Sequence, residues 1–166
     1  MREKKVLNKF IFPKMSCYYI LRALTVAMIA YVFFFYICIP IKINGISMEP
    51  TYKDGAINLI WRPVYYFREP EPSDVVGVRL AGRNVMLLKR VVALEDDTVA
   101  FHKGKLIING TVISEPYVEL PCNWEMSARK VEKGKVYVVG DNRSVNMKNH
   151  VFGQVDRNRI MGVTIW

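Results

Sequence analysis

The chain of 166 residues is long enough for one compact domain and one short additional segment, which excludes a multidomain protein. It is 51% hydrophobic and 23% charged, which is ordinary for a globular protein. The formal net charge is +9, but more than half of it lies before residue 23, so the basic balance requires no nucleic-acid partner.

An uncharged apolar run extends from Ala23 to Ile39 and ends at Pro40. As a helix this run would be about 26 Å long, close to the thickness of the hydrocarbon core of a bilayer. A cleaved signal peptide is the alternative, but the run is longer than usual and no small-residue cleavage site follows it. The sequence therefore predicts a retained transmembrane anchor over residues 23–41, with the lipid bilayer as a partner.

The segment before this run is basic. Its charged residues are one acid, Glu3, and the cations Arg2, Lys4, Lys5, Lys9, Lys14 and Arg22. Lysine and arginine next to a membrane span stay on the cytoplasmic side. We therefore expect residues 1–22 to be cytoplasmic. Residues 42–166 would then form an extracytoplasmic domain, held at the plasma membrane by a single span.

Beyond residue 42 the sequence changes to short apolar runs separated by turn residues, which is typical of a mostly β domain. The predicted strands are Ala56–Arg62, Asp74–Leu80, Val85–Leu94, Thr98–His102, Lys105–Ile108, Thr111–Ser114, Lys135–Val139 and Arg159–Ile165. Asn109 and Gly110 predict a tight hairpin, because both residues accept the positive φ of a type I′ turn. Cys122 is the only cysteine of this part of the chain, and no Cys/His spacing suggests a metal site.

A first candidate for chemistry is Ser47, in the run Gly-Ile-Ser-Met-Glu-Pro-Thr that follows the predicted anchor. Apolar neighbours and a proline can hold the hydroxyl exposed in a fixed loop. A serine that only forms a turn has the same signature, so both interpretations stay open.

A second candidate is Lys89, inside the apolar run of residues 85–94. Side chains alternate along a strand, so Lys89 shares a face with Leu87 and Val91. Desolvation on such a face favours the neutral amine, which can act as a general base. The alternative is a lysine on an edge strand, with a packed stem and its ammonium in water.

A third stretch, Gly-Asp-Asn-Arg, follows an apolar predicted strand and is by itself only a turn pattern. Together, in this order behind one N-terminal span, the three stretches resemble the type I signal peptidase (leader peptidase) family. The matching residues are GISMEPT at 45–51, SDVVGV at 73–78, KRVVALEDD at 89–97, GDNR at 140–143 and FGQV at 152–155. The resemblance covers the whole outer domain and implies the signal-peptidase-like β-fold.

The resemblance implies a serine endopeptidase that removes N-terminal signal peptides without a metal or other cofactor. Ser47 would be the nucleophile, Lys89 the general base, and the Ser47 backbone N–H part of the oxyanion hole. The supporting residues would be Gly140, Asp141, Asn142, Arg143 and Asn146. The substrate would lie as an added strand in a groove. The residues lining that groove would be Ile43, Ile46, Val85, Leu87 and Leu88.

The resemblance is incomplete after residue 143. The family commonly has a serine, an aspartate, a serine and an arginine at the positions of Asn146, Lys148, Asn149 and His150. We expect the amide oxygen of Asn146 to replace the serine that bonds the lysine. Lys148 and His150 cannot form the usual acid–arginine pair, and Asp96 stands where the family usually has glycine.

In these departures and in its short outer domain, the chain resembles the compact single-span enzymes of Gram-positive bacteria. It also resembles the signal-peptidase-like proteins associated with pilus assembly. Two functions follow. The first is a signal peptidase that acts on secreted or surface preproteins, pilins among them. The second is a chaperone-like assembly factor for pilins with little or no peptidase activity. The presence of both dyad residues favours the peptidase.

Overall fold

The computed structural model describes residues 17–79, 86–149 and 153–165 and divides into two units between Ile37 and Cys38. The first unit contains helix α1, Cys17–Val32, which continues as a π-helical segment, Phe33–Ile37. Together they form one apolar helix of 21 residues, and none of these residues is buried inside the protein. The helix is long and apolar enough to cross a membrane.

The helix contains most of the predicted anchor but ends four residues before its predicted end at residue 41. Residues 38–41 belong instead to the first strand of the second unit. Each residue of this strand is paired with one of the next strand, from Cys38 opposite Trp61 to Lys42 opposite Ile57. Pro40 has no N–H to donate and is accommodated because the strand lies at the edge of its sheet.

The second unit is mostly β, as the sequence predicts, with eleven strands among its described residues. The strands are β1 Cys38–Lys42, β2 Ile57–Trp61, β3 Val75–Arg79, β4 Met86–Ala93, β5 Thr98–His102, β6 Lys105–Ile108, β7 Thr111–Val112, β8 Met126–Lys130, β9 Lys135–Val139, β10 Gly153–Asp156 and β11 Ile160–Thr164. Short 3₁₀ turns are found at Pro63–Tyr66, Met147–Asn149 and Arg157–Arg159.

The strands form two antiparallel sheets. The larger sheet has the order β1-β2-β11-β3-β4-β9-β10, and the smaller has the order β7-β6-β5-β8. β4 lies inside the larger sheet, with β3 on one side and β9 on the other. The alternative of Lys89 on an edge strand is therefore wrong, because β4 has a neighbour along both edges.

Three apolar clusters form the core of the second unit. The first joins the two sheets, and in it Phe101 of β5 packs edge to face on Trp124, with 5.4 Å between the ring centroids. The second lies under the loop that follows β1 and contains Met48, which is 1% exposed. Burying a side chain of this size stabilises the fold by about 1.5–3 kcal/mol. The third is a group of valines from β3, β4 and β9.

A bulge in β11 brings its backbone close to β2 at Gly162. The φ angle of this residue is +152°, and an added Cβ would meet the carbonyl oxygen of Trp61. L side chains rarely adopt this conformation, so both the backbone geometry and the space require glycine here.

Candidate active site

Ser47 lies in the loop between β1 and β2. The base of the loop is closed by Ile43, whose N–H donates to the carbonyl of Ala56 at 2.8 Å and whose carbonyl accepts from the N–H of Gly55 at 2.9 Å. Met48, the next residue after the serine, is buried in the cluster beneath. The loop is therefore fixed at its base and next to Ser47, while the serine itself stays half-buried.

The structure brings Ser47 and Lys89 together. The side chain of Lys89 extends from the middle of β4, is 2% exposed, and donates from Nζ to Ser47 Oγ at 2.7 Å. Burial lowers the pKa of Lys89 to about 8, while the nearby Asp141 carboxylate acts in the opposite direction. Near pH 8 about half of the molecules would hold a neutral amine beside the serine hydroxyl. Such an amine can accept the hydroxyl proton.

A buried ion pair fixes the backbone segments around Ser47 and Lys89. Arg90 donates to Asp141 through two bonds, Nε to Oδ1 at 2.8 Å and Nη2 to Oδ2 at 2.6 Å. Asp141 is 0% exposed and also accepts from the Thr51 hydroxyl at 2.7 Å. These bonds connect β4, the loop after β9 and the loop that carries Ser47. Breaking such a pair by removing one partner typically destabilises a protein by about 3–5 kcal/mol.

Asn142 holds the backbone on both sides of the serine. Its N–H donates to the carbonyl of Ser47 at 3.1 Å, and its side-chain Nδ2 donates to the carbonyl of Ile46 at 3.0 Å. Its Oδ1 accepts in turn from the hydroxyl of Ser144 at 2.6 Å. The predicted supporting residues Asp141 and Asn142 therefore both contact the loop of Ser47.

A cleft of about 460 Å³ with both apolar and polar lining opens beside Ser47. Its lining residues are Ile41, Lys42, Ile43, Asn44, Gly45, Ser47, Met48, Met86, Leu87 and Leu88. Three residues predicted to line a groove, Ile43, Leu87 and Leu88, are among them. Ile46 is not: the turn that directs its carbonyl to Asn142 leaves its side chain 52% exposed. Val85 lies outside the described residues.

The chain matches the family model described as signal peptidase, peptidase S26, over residues 16–166. It belongs to this family. It is 31% identical over 176 residues to signal peptidase I of Bacillus licheniformis, which covers 99% of this chain and 92% of that protein. It is 33% identical over 149 residues to signal peptidase IB of Staphylococcus aureus (strain Mu50), covering 76% of this chain and 75% of that protein.

Two further similarities cover less of the proteins compared. Thylakoidal processing peptidase 1 of Arabidopsis thaliana is 33% identical over 138 residues, which is 76% of this chain but 41% of that protein. The crystal structure of a signal peptidase I from Enterococcus faecalis V583 is 24% identical with a TM-score of 0.48. The match covers 58% of this chain and 97% of that chain.

Asn146 departs from the role that the family resemblance implies. It is exposed, and its Oδ1 accepts from the N–H of Lys148 at 3.0 Å, at the start of the short 3₁₀ turn. The contacts of the two residues differ from the predicted bond, because this oxygen accepts from the backbone while Lys89 donates to Ser47. The physical reason is local: an asparagine side chain readily bonds the backbone two residues further on.

Arg143 and Gly140 form a second buried contact, in the loop after β9. The guanidinium of Arg143, 1% exposed as a residue, donates from Nε to the carbonyl of Gly140 at 2.7 Å. It also donates to Glu115, from Nη2 at 2.6 Å and from Nη1 at 3.1 Å. Glu115, from a segment before this loop, is therefore the acid that pairs with Arg143.

Two further residues beside the site, Glu115 and Tyr117, are not predicted from the sequence. The ring centroid of Tyr117 lies 3.9 Å from the guanidinium carbon of Arg90, and its hydroxyl donates to Glu115 Oε1 at 2.8 Å. The two residues lie in a turn that has no recognisable motif. Glu115 precedes its partner Arg143 by 28 residues. No local signal marks them, because their partners are distant in sequence.

Proposed function

We propose that this chain is a membrane-anchored serine endopeptidase that removes N-terminal signal peptides from exported proteins with a Ser47–Lys89 dyad. The observation that carries the proposal is the 2.7 Å separation of Lys89 Nζ and Ser47 Oγ at the wall of the cleft. Membership of the signal peptidase family supports the substrate class, the signal-peptide segment of preproteins.

The proposed reaction begins with the neutral amine of Lys89. As Ser47 Oγ attacks the scissile carbonyl carbon, the amine takes the hydroxyl proton. The resulting ammonium then gives this proton to the leaving amine nitrogen when the peptide bond breaks. In the second half, the amine takes a proton from water, which attacks the acyl-enzyme, and the proton returns to Ser47 Oγ as the ester breaks.

The negative oxygen of each tetrahedral intermediate needs a hydrogen-bond donor. We assign this role to the backbone N–H of Ser47, which donates to no acceptor among the described residues. The bonds from Asn142 to the carbonyls on both sides hold this peptide group in place. Preorganised donors of this kind are each worth about 3–4 kcal/mol of transition-state stabilisation.

The proposed substrate binds as an extended segment in the cleft. The cleft lies between the chain that leaves β1 at Ile43 and the start of β4 at Met86, so a peptide placed there can pair with strand backbone. Ile43 and Leu88 offer apolar contacts to its side chains. Such contacts suit the small uncharged residues at the cleavage site of a signal peptide.

The experiment uses the full chain in detergent micelles or vesicles with a preprotein that carries a signal peptide. We expect Ser47→Ala and Lys89→Ala each to lose at least about 10³-fold in kcat/KM while keeping the thermal unfolding profile of a folded domain. The matched controls are Ser127→Ala and Lys105→Ala, which remove an exposed serine and an exposed lysine. Cleavage by Ser47→Ala at the rate of the controls would exclude the dyad.

The chaperone-like role in pilus assembly stays a prediction. Such a role needs a surface and no hydroxyl, so it would survive Ser47→Ala at a normal level of protein. The test is complementation of a deletion strain with both dyad variants, scoring precursor cleavage and pilin polymer. Normal processing in both variants would contradict the peptidase proposal, whereas lost cleavage with normal polymer would separate the two roles.

We also propose a single-pass plasma-membrane protein with a cytoplasmic N-terminus. The apolar helix supports the span, and the six cations against one acid before residue 23 support the orientation. Protease added to intact spheroplasts should therefore digest the domain beyond residue 42. Digestion that occurs only after the membrane is opened would show the opposite orientation.

A further inference from the structure

We propose that Tyr117 is a positioning residue for the dyad, because it fixes the Arg90–Asp141 ion pair beside Lys89 and links it to the second buried arginine of the site. The proposal rests on the Ser47–Lys89 function proposed above. It assigns a role to a side chain that touches neither the dyad nor the cleft.

Tyr117 contacts both arginines of the site, one directly and one through an acid. Its ring faces the guanidinium of Arg90 at 3.9 Å, a distance at which a cation and an aromatic face attract. Its hydroxyl donates to Glu115, which accepts from Arg143. The tyrosine hydroxyl and the arginine share the same carboxylate oxygen, Oε1 of Glu115. One side chain therefore restrains Arg90 directly and Arg143 through Glu115.

These contacts connect the two sheets. Tyr117 lies between β7 and β8, which both belong to the smaller sheet, whereas Arg90 is on β4 and Arg143 follows β9 of the larger sheet. The segment 115–117 thus holds the site from the side of the smaller sheet. Tyr117 is half-buried, and burial with the neighbouring Glu115 carboxylate raises its pKa, so the ring stays neutral as a phenol at working pH.

The groups around Lys89 explain why the position of Arg90 affects the pKa of Lys89. The Ser47 loop presents a hydroxyl to the amine, β3 places the uncharged Val76 opposite it, and the loop after β9 brings Asp141. Asp141 is the charged group that raises the pKa of Lys89 against the effect of burial.

Arg90 compensates the charge of this carboxylate through two hydrogen bonds. The ring of Tyr117 lies over the guanidinium of Arg90 and restrains its position. If Arg90 loses the ring that holds it, the Asp141 carboxylate is less well compensated. The pKa of Lys89 should then rise, and the dyad should need a higher pH to work.

The test compares Tyr117→Leu with Tyr117→Phe in the full chain in vesicles, measuring kcat/KM from pH 6 to pH 10. For Tyr117→Leu we expect the apparent pKa to move up by about half a unit, which lowers the rate about threefold at pH 7 and leaves it almost unchanged at pH 10. Tyr117→Phe keeps the ring over Arg90 and should keep the wild-type profile.

Leu106→Val is the control for a structural effect. Leu106 is a buried residue of β6 in the cluster that joins the sheets, and it forms no described contact with either arginine. A loss of packing alone should reduce activity by the same factor at every pH. An unshifted profile in Tyr117→Leu, or an equal shift in Leu106→Val, would overturn the proposal.

A second measurement tests the positioning role of Tyr117 even if the protein proves not to cleave preproteins. In a Ser47→Ala background, the free energy of unfolding should rise between pH 7 and pH 10.5, because the unfolded chain keeps the proton on Lys89 that the folded chain releases. This rise should be about one-fifth smaller with Tyr117→Leu than with Tyr117→Phe. Equal rises would refute the role of Tyr117 independently of the peptidase function.

Discussion

Replacing Lys89 by methionine should abolish cleavage and yet stabilise the fold. Lys89 is 2% exposed, and burial lowers its pKa from 10.5 to about 8. At pH 7 the amine is a cation both in the unfolded chain and in the folded protein, where the site disfavours the charge. Each pKa unit corresponds to about 1.4 kcal/mol, so the buried charge destabilises the fold by about 3 kcal/mol at pH 7.

Methionine has nearly the same length and shape as lysine and carries no charge. The variant loses the bond from Nζ to Ser47 Oγ, worth about 1 kcal/mol, so at pH 7 the net gain in the free energy of unfolding should be about 2 kcal/mol. Above pH 8 the folded protein releases the proton while the unfolded chain keeps it up to about pH 10.5. The wild-type protein therefore gains stability as the pH rises, and the advantage of Lys89→Met disappears.

The assay is urea unfolding of the full chain in detergent micelles at pH 7 and pH 10. Tryptophan fluorescence reports unfolding of the β unit, because Trp124 is 2% exposed in its core. Lys105→Met, which removes an exposed lysine of β6, is the matched control and should behave like wild type at both pH values. If Lys89→Met were less stable than wild type at pH 7 by the same amount as at pH 10, the buried-amine argument would be refuted.

Further outcomes are expected for activity and stability. The kcat/KM of the wild-type protein should rise about tenfold per pH unit below the pKa of Lys89 and level off above about pH 8, and Lys89→Arg should be inactive because a guanidinium stays protonated. A pH-independent rate from pH 6 to pH 9, or an active Lys89→Arg, would remove the amine from the mechanism. Asp141→Asn should lower the free energy of unfolding by about 3–5 kcal/mol in urea, because Arg90 stays buried without its counter-ion; a loss below about 1 kcal/mol would contradict this. Gly162→Ala should lower Tm in calorimetry, because its Cβ would meet the carbonyl of Trp61, and an unchanged Tm would show that β11 can move.

Turn residues and short apolar runs predict the strands that are bounded on both sides by such signals. β5, β6 and β9 have the bounds that the sequence predicts, and Asn109 and Gly110 both have the positive φ expected of their hairpin turn. β1 is not predicted because its residues continue the apolar run of the helix. β8 has one buried residue, Met126, at its start, and all four residues of β10 are half-buried, so neither strand shows alternation.

The candidate site is predictable only where a motif marks it. Ser47 and Lys89 have weak local signals, and the order of three stretches along the chain, through the family resemblance, singles them out. Asp141 and Asn142 follow from the same resemblance. Glu115 and Tyr117 do not, because their roles depend on how the smaller sheet meets the larger one, which no spacing along the sequence encodes.

Ser47 and Lys89 are 42 residues apart, one on a loop and the other on an interior strand. In an extended chain the hydroxyl has no base beside it, and the amine in water holds its proton far above neutral pH. The proposed nucleophile and base thus come into being only when β4 is inside its sheet and the loop of Ser47 is seated on it. In the proposed orientation, a newly exported copy would therefore cross the membrane without a working dyad and would gain one only when this β unit folds.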